Sequence, residues 1–154
     1  MADVFSKAKR SQIMSRVRGQ GNERTELALA SLLRRSGLSG WRRNQPVFGK
    51  PDFVFRQQRL AVFVDGCFWH GCPLHATQPA TNRIFWRKKL ARNKARDRLV
   101  NRTLRKAGWR VLRIWQHEFK RDNESRCVAR IRRAHATANA TVTAMIQSPQ
   151  NGWF

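Results

Sequence analysis

The fold is decided by the stretch Asp52–Asp65, which has the sequence DFVFRQQRLAVFVD. Its two apolar runs, Asp52–Phe55 and Leu60–Asp65, are separated by a short polar turn. This spacing predicts an antiparallel hairpin, and the second run is apolar on both faces, as in a central strand. Because Asp52 opens the first run and Asp65 closes the second, antiparallel pairing would place the two carboxylates at adjacent strand ends.

Helices are predicted before and after this hairpin. The segment that follows Asn22, a suitable N-cap, carries a stripe of leucines and ends at Gly37. A long helix is expected over residues 84–107, the alternating run Trp109–Trp115 indicates another strand, and a last basic helix is expected to end near His135. These elements predict an α/β or α+β domain in which helices flank a mixed central sheet.

Composition points to an acidic partner. The chain has 154 residues, with 32 Lys and Arg against 9 Asp and Glu, which gives a net charge of +23. Such an excess favours binding to a polyanion. Hydrophobic residues make up 41% of the chain, with six Trp and nine Phe, which is too apolar for a disordered histone-like or protamine-like tail.

The change of composition along the chain suggests a single domain over residues 21–138. A polar, basic arm or loosely held helix is expected over residues 1–20, and a poorly patterned tail of low charge over 139–154. The longest apolar run, Leu60–Val64, is far shorter than a membrane span, and the N-terminus has no signal-like segment. A cytoplasmic location without membrane contact is therefore expected.

Two thiols and two imidazoles form a candidate zinc site. The chain has three cysteines, an odd number, which argues against a disulfide scaffold. Two thiolates and two imidazoles are soft or borderline ligands that suit tetrahedral Zn²⁺. The alternative is that they are ordinary loop residues and a capped surface imidazole, since their spacing matches no standard zinc finger. The candidate ligands are Cys67, Cys72, His75 and His117.

Acidic residues and one histidine form a second candidate site. Asp52 and Asp65 suit Mg²⁺, which phosphodiester hydrolysis uses to neutralise the phosphate and acidify a water. His70 is a candidate acid or base, and Glu26 lies on the apolar face of its helix, where a simple amphipathic helix would have no carboxylate. The alternative is that these acids are turn caps or partners of the many cations.

The cations of the helix over 84–107 exceed what a solvated face requires, so we expect some of them to contact phosphates. They are Arg83, Arg87, Lys88, Lys89, Arg92, Lys94, Arg96, Arg98, Arg102, Arg105 and Lys106. Asp97, the one acid among them, is expected to pair locally.

Aromatic residues near these sites have two interpretations. Phe68, Trp69, Phe85 and Trp86 could insert between base pairs and kink a duplex, or they could pack in the core. Phe85 is expected to be the more core-like. Elsewhere, Cys127 is expected to be packed and His135 to be exposed to solvent.

The sequence resembles the very short patch repair endonuclease family in the segments GKPDFV (Gly49–Val54) and VFVDGCFWHGCP (Val62–Pro73). The resemblance extends over about residues 5–120 and implies a restriction-endonuclease-like fold with a structural zinc. It also implies a nick 5′ to the thymine of a T:G mismatch, the lesion left when 5-methylcytosine deaminates, with Mg²⁺ as cofactor. From such a family we expect a monomer that works at the bacterial nucleoid and is functionally linked to a cytosine-5 DNA methyltransferase.

The resemblance also assigns roles to residues. It implies that Asp52 binds Mg²⁺ with the backbone carbonyl of Val64, that His70 activates the attacking water, and that Glu26 positions water on the metal. It further implies that an aromatic wedge enters the duplex, that an N-terminal residue enters the minor groove, and that the four zinc candidates bind zinc. The wedge is Phe68, Trp69 and Trp86, and the minor-groove residue is Met14.

Two departures from the family pattern leave alternatives open. The best-known member has a histidine at the position of Asp65, which therefore either binds the metal or shapes the site. That member uses three thiolates and one imidazole for zinc, so the participation of His75 is open. Two other functions compete with mismatch nicking: a non-catalytic, zinc-containing DNA-binding module, and a restriction-type nuclease that acts on undamaged DNA.

Overall fold

The computed structural model describes residues 6, 8–9, 11–12, 25–75 and 79–146. Four strands and three helices make up most of this part of the chain. In chain order they are α1 (Glu26–Arg35), β1 (Trp41–Arg42), β2 (Phe53–Phe55), β3 (Leu60–Asp65), α2 (Arg83–Lys106), β4 (Arg110–Trp115) and α3 (Glu124–Ile146). Two short 3₁₀ helices, Gln116–Phe119 and Arg121–Asn123, connect β4 to α3.

The strands form one mixed sheet in the order β1-β2-β3-β4. Strands β2 and β3 are antiparallel, with Phe53 paired to Val62, so the predicted hairpin is confirmed. Strand β1 is antiparallel to β2, whereas β4 is parallel to β3. The parallel pair is joined by α2, as parallel strands require a long crossover. The prediction of a mixed sheet flanked by helices is confirmed.

Helices cover both faces of the sheet. Side chains of α1 and α3 pack against one face, and α2 packs against the other through Val100 and Leu104, which contact Ala61 and Phe63. The larger core, on the side of α1 and α3, consists of Leu29, Ala30, Leu32, Leu33, Phe53, Phe55, Leu60, Val62, Ile114, Cys127 and Ile131. Cys127 is fully buried there, so its predicted packing role is confirmed.

The loop before β2 approaches α2 closely. Gly49 has a positive φ of 78°, and a Cβ at this position would lie 2.3 Å from Cγ1 of Val100. Only glycine fits such a contact without displacing the side chain of Val100. The approach fixes the start of β2, and therefore Asp52, against the α2 side of the sheet.

Several predictions about the ends of elements were wrong. Helix α3 does not end near His135 but continues to Ile146, because the segment after His135 is rich in alanine, the residue with the highest helix propensity. His135 is half-buried, with its ring edge-to-face on Phe55 at 5.2 Å, and is not a solvent-exposed side chain. Strand β1 was not predicted, since two residues carry no readable alternation.

Other predictions lie outside the described residues. The minor-groove candidate Met14 is among these positions, as are residues 147–154 of the tail and most of the arm over 1–20. The division into arm, domain and tail therefore stays a prediction. The prediction of Asn22 as the N-cap was wrong, because α1 begins at Glu26 with Thr25 as its N-cap. Within the described ranges, none of the helices combines the length and the hydropathy that a membrane span requires.

Candidate active site and metal centre

The acids at the strand ends face one cavity. Since Phe53 pairs with Val62, Asp52 lies opposite Phe63, and the two-residue alternation of strands places Asp52, Phe63 and Asp65 on the same face of the sheet. That face is the one covered by α2. The cavity there has a volume of about 800 Å³, and Asp52 and Asp65 line it together with Glu26 and His70. The structure thus brings all four candidate acid and histidine residues together.

Asp52 is the acid best suited to hold a cation. Its Oδ2 accepts a hydrogen bond from the backbone N–H of Val64 at 2.7 Å. The pKa of Asp52 is raised to about 6: burial is the main cause, the hydrogen bond from Val64 opposes it, and the nearby charges of Glu26 and Asp65 add to the rise. A carboxylate whose charge is disfavoured in this way is stabilised by a bound cation.

Glu26 reaches the cavity from the first turn of α1. As predicted, it lies on the leucine face of the helix, and it is only 8% exposed. Its Oε2 forms a close ion pair with Nη2 of Arg43, from the segment after β1. Arg43 thereby compensates a carboxylate that the fold has buried next to Asp52.

His70 is held by a carboxylate from α2. Its Nδ1 lies 2.6 Å from Oδ2 of Asp97 and 3.8 Å from Oδ1 of Asp65. Burial lowers the pKa of His70, but the hydrogen bond and charge of Asp97 and the charge of Asp65 outweigh it, so the pKa lies above its usual value. Because Nδ1 is engaged by Asp97, Nε2 is the nitrogen left for reaction chemistry.

The expectation that Asp97 pairs locally was wrong, since its partners lie on other elements. Its two oxygens bind His70 and, at 3.2 Å, Nη2 of Arg113 on β4. Burial raises the pKa of Asp97, but the hydrogen bond and charge of His70 and the charge of Arg113 more than offset this, and the pKa is lowered. Asp97 and Arg113 were missed by the sequence analysis because their contacts join elements that are distant in the chain.

Asp65 has a different environment from Asp52. It is 4% exposed and its Oδ1 accepts a hydrogen bond from Nη1 of Arg113 at 2.7 Å. Burial raises the pKa of Asp65, and the charges of Arg113 and His70 only partly counter this. Asp65 is therefore an ion-paired carboxylate at the back of the cavity.

Three aromatic rings form a cluster on the wall of the same cavity. The ring of Phe68 lies 5.1 Å from that of Trp69 and 5.2 Å from that of Trp86, and the two indoles are 5.9 Å apart. The ammonium of Lys89 lies 5.0 Å from the Trp69 ring. Asn93 donates a hydrogen bond from Nδ2 to the carbonyl of Trp69 at 2.9 Å, which fixes the loop that carries the first two rings.

Phe85 is not part of the core, and the expectation that it is the more core-like aromatic was wrong. It is 57% exposed, whereas its neighbour Trp86 is half-buried. The reason is the direction of α2, whose inward line runs through Trp86, Asn93 and Val100. Phe85 lies beside this line, where it lines the cavity and packs edge-to-face on Trp86 at 5.4 Å. Of the cations predicted on this helix, Lys89 is half-buried and the others are exposed.

The thiols and imidazoles converge on one point. One ligand atom from each of the four candidate residues lies within 4.8 Å of the others. The Nδ1 of His117 lies 3.3 Å from Sγ of Cys67 and 3.7 Å from Sγ of Cys72, and Nδ1 of His75 lies 3.8 Å from the latter. His117 lies just after β4, in the first 3₁₀ helix, so the cluster joins that strand to the loop after β3.

The donor set fits a structural zinc site. Two thiolates and two imidazoles at these separations suit a tetrahedral ion, and none of the four is an oxygen ligand that Mg²⁺ would prefer. The backbone N–H of Cys72 also donates to the carbonyl of Cys67 at 2.9 Å, which closes the loop between them. His75, which the sequence left open, lies within the cluster.

Comparisons with known proteins agree on one family. The family described as DNA mismatch endonuclease Vsr matches residues 2–75. The chain is 41% identical over 118 residues to DNA mismatch endonuclease Vsr of Escherichia coli (strain K12), covering 75% of this chain and 74% of that protein. It is 37% identical over 134 residues to Type II nicking enzyme V.NmeDIP of Neisseria meningitidis serogroup C, covering 86% of this chain and 89% of that protein.

A shorter match has higher identity. The chain is 59% identical over 73 residues to Type II nicking enzyme V.NaeI of Lentzea aerocolonigenes, which is 47% of this chain and 44% of that protein.

Proposed function

This chain belongs to the Vsr family of DNA mismatch endonucleases, and from this premise we propose that it nicks one strand of DNA 5′ to the thymine of a T:G mismatch by Mg²⁺-dependent hydrolysis. The observation that carries the proposal is the convergence of Asp52, Glu26 and His70 in one cavity whose wall is an aromatic cluster. Acids beside a histidine suit phosphodiester hydrolysis, and aromatic rings suit entry into a duplex. The mixed sheet with acids at its strand ends supports a restriction-endonuclease-like fold.

Asp52 and the carbonyl of Val64 would hold the Mg²⁺ ion. When bound, Mg²⁺ neutralises charge on the phosphate and acidifies a water. The hydrogen bond from the Val64 N–H to Asp52 fixes the carboxylate relative to Val64. The two oxygen donors, the Asp52 carboxylate and the Val64 carbonyl, would therefore come from one rigid pair of strands. Glu26, held by Arg43, would orient water in the same cavity.

His70 would accept the proton of the attacking water at Nε2. The carboxylate of Asp97 holds the opposite nitrogen, which sets both the direction of the ring and the site of its ring proton. Deprotonation of water by a positioned imidazole is an ordinary general-base step near neutral pH. Asp97 acts through His70 and is therefore a positioning residue.

The aromatic cluster would supply mismatch preference. A T:G pair is easier to unstack than a matched pair, so inserting Phe68, Trp69 and Trp86 costs less free energy at the lesion than elsewhere. The exposed cations of α2 would hold the backbone through phosphate contacts that carry no sequence information. The Zn²⁺ ion, held by the four clustered ligands, would stiffen the loop from which two of the rings project.

The lesion itself suggests the biological setting. T:G pairs arise where 5-methylcytosine is deaminated, so we propose a functional link to a cytosine-5 DNA methyltransferase. The relatives from Neisseria and Lentzea are named nicking enzymes, which fits a break in a single strand.

One assay tests the proposal directly. A duplex labelled on both strands and containing a single T:G pair is incubated with the zinc-loaded protein, with and without Mg²⁺, beside a matched T:A duplex. We expect one nick, on the thymine strand, that requires Mg²⁺. Cleavage of both strands of the T:A duplex would favour a restriction-type nuclease, and binding without cleavage in any divalent metal would favour a non-catalytic DNA-binding module.

A further inference from the structure

Arg113 joins three elements at the edge of the cavity. Its Nη1 donates to Asp65 on β3 at 2.7 Å, its Nη2 lies 3.2 Å from Asp97 on α2, and its Nε donates to Oδ1 of Asn101 at 3.0 Å. All three nitrogens of the guanidinium therefore have partners on neighbouring elements. The guanidinium also lies over the ring of Phe63, with its Cζ 4.7 Å from the ring centroid.

We propose that Arg113 is a positioning residue that keeps Asp65 out of metal coordination and fixes the end of β3 against α2. This inference rests on the proposed nuclease function, and it resolves the two roles that the sequence left open for Asp65. It divides the three aspartates of the cavity into two kinds. Asp52 serves the metal, whereas Asp65 and Asp97 are held by the arginine.

The contrast between the two strand-end acids supports this division. Asp65 is 4% exposed and paired with a guanidinium, and Arg113 itself is only 18% exposed at its side chain. If Asp65 turned its Oδ1 to a metal, a largely buried guanidinium would lose its closest partner and keep only Asp97 and Asn101, which is unfavourable. Among the residues that the structure describes, none forms an ion pair with Asp52, which faces the cavity and whose Oδ2 accepts a hydrogen bond from the backbone N–H of Val64.

The same arginine sets the position of the proposed base. Asp97 binds Arg113 through Oδ1 and His70 through Oδ2. A change in the position of the guanidinium would therefore move the imidazole relative to Val64 and Asp52. Only a planar fork with several donors can hold two carboxylates and an amide at once, so lysine is not an equivalent residue here.

The first part of the test is the dependence of nicking on Mg²⁺. Single-turnover nicking of the T:G duplex is measured over a range of Mg²⁺ concentrations for the unchanged protein and Asp65→Asn. We expect Asp65→Asn to lower the rate constant about tenfold, as loss of a positioning contact does. The Mg²⁺ concentration that gives the half-maximal rate should change less than about twofold. A rise of about tenfold or more in that concentration would make Asp65 a metal ligand and overturn the proposal.

The second part requires no activity. Thermal unfolding of the zinc-loaded protein without Mg²⁺ is compared for Arg113→Met, Asp65→Asn and the double variant. We expect coupling: the shift in midpoint caused by Asp65→Asn should be more favourable to the folded state in Arg113→Met than in the unchanged protein, because the cation that pairs with the carboxylate is gone. Purely additive effects would overturn the pairing. If Arg113→Met does not fold, the Mg²⁺ dependence of Asp65→Asn still decides between the two roles.

A control pair and a conservative variant complete the design. Arg35 of α1 and Glu124 of α3 form an ion pair at 3.3 Å, and neither residue lines the cavity. Removing both should alter unfolding little, as expected of an exposed pair, and leave the Mg²⁺ dependence of nicking unchanged, whereas Arg113→Lys should fail to restore the rate. Restoration by Arg113→Lys would contradict the forked contact. Failure of the unchanged protein to nick T:G DNA would refute the proposed function, while the unfolding cycle would still test the pair.

Discussion

The imidazole of His70 and the carboxylate of Asp97 lie 2.6 Å apart, although 27 residues separate them in the chain. The contact joins the loop after β3 to the middle of α2. It makes the orientation of the proposed base a property of helix packing rather than of the loop alone. Substitutions on α2 that touch neither metal nor DNA should therefore affect the reaction.

We predict that Asp97→Asn lowers the nicking rate while leaving DNA binding intact. An amide holds the ring less strongly than a carboxylate, and the loss of such an orienting partner costs about 10- to 100-fold. The carboxylate raises the pKa of His70, and a base must be unprotonated, so its removal should move the acidic limb of the pH–rate profile to lower pH. Single-turnover rates and duplex binding over a pH series measure both effects, and Asp122→Asn, an exposed acid, is the control.

We predict that Asp52→Asn stabilises the protein when Mg²⁺ is absent. The folded-state pKa of Asp52, about 6, lies above its ordinary value of 3.8, so the folded protein holds this proton more tightly than the unfolded chain does. The group therefore costs stability above pH 6, and that cost disappears as the pH falls towards 4.

The measurement is the thermal midpoint of the zinc-loaded protein without Mg²⁺. At pH 7.5 the midpoint of Asp52→Asn should be higher by roughly 5 °C, and the difference should vanish near pH 4. Asp52→Asn should also fail to nick DNA. A midpoint that is lower than that of the unchanged protein at pH 7.5 would show that the carboxylate is stabilising.

We predict that Trp69→Ala reduces the preference for the mismatch. The indole packs against Phe68 and Trp86, so its loss removes part of the surface that would enter the unstacked pair. Stacking of a base on an aromatic ring contributes about 1–3 kcal/mol, so the ratio of T:G to T:A affinity should fall about tenfold or more. Phe48→Ala, an exposed aromatic outside the cavity, should leave the ratio unchanged. Equal losses on both duplexes would argue against a wedge.

We predict that the protein holds one zinc ion through the thiol and imidazole cluster. Metal analysis should give one zinc per chain, and Cys72→Ser should abolish it and lower the thermal midpoint, since a structural zinc contributes directly to folding. Cys127→Ala is the matched control, because this cysteine is buried in the core among apolar side chains and lies outside the cluster. Retention of zinc by Cys72→Ser would remove that thiol from the ligand set.

The hairpin and the two clusters could be predicted because their signals are local or chemical. The run Asp52–Asp65 contains both strands, their turn and both terminal acids, so alternation and antiparallel pairing determine which side chains meet. The grouping of Cys67, Cys72 and His75 depends on ligand chemistry within nine residues of chain. His117 could be predicted as well, because it lies just after a strand that the sequence indicated.

The partners of these residues could not be predicted for the opposite reason. Arg113 is one arginine among many in a basic chain, and nothing in its neighbours distinguishes a guanidinium that binds two acids from one that faces solvent. Asp97 gave a weak signal, as the one acid among many cations on α2, but its partner lies on another element. The buried edge of His135 and the full length of α3 likewise depend on packing that the sequence pattern does not contain.

The spacing of the loop after β3 has an evolutionary consequence. Asp65 closes the strand, Cys67 begins the thiol and imidazole cluster two residues later, and between them Gly66 packs so closely that an added Cβ would lie 3.3 Å from Trp69. Insertion or deletion of a single amino acid at this junction would move the acidic cavity and the cysteine cluster relative to each other. Divergence of the two centres is therefore coupled, and variation in DNA preference among descendants of this gene should accumulate elsewhere on the molecule.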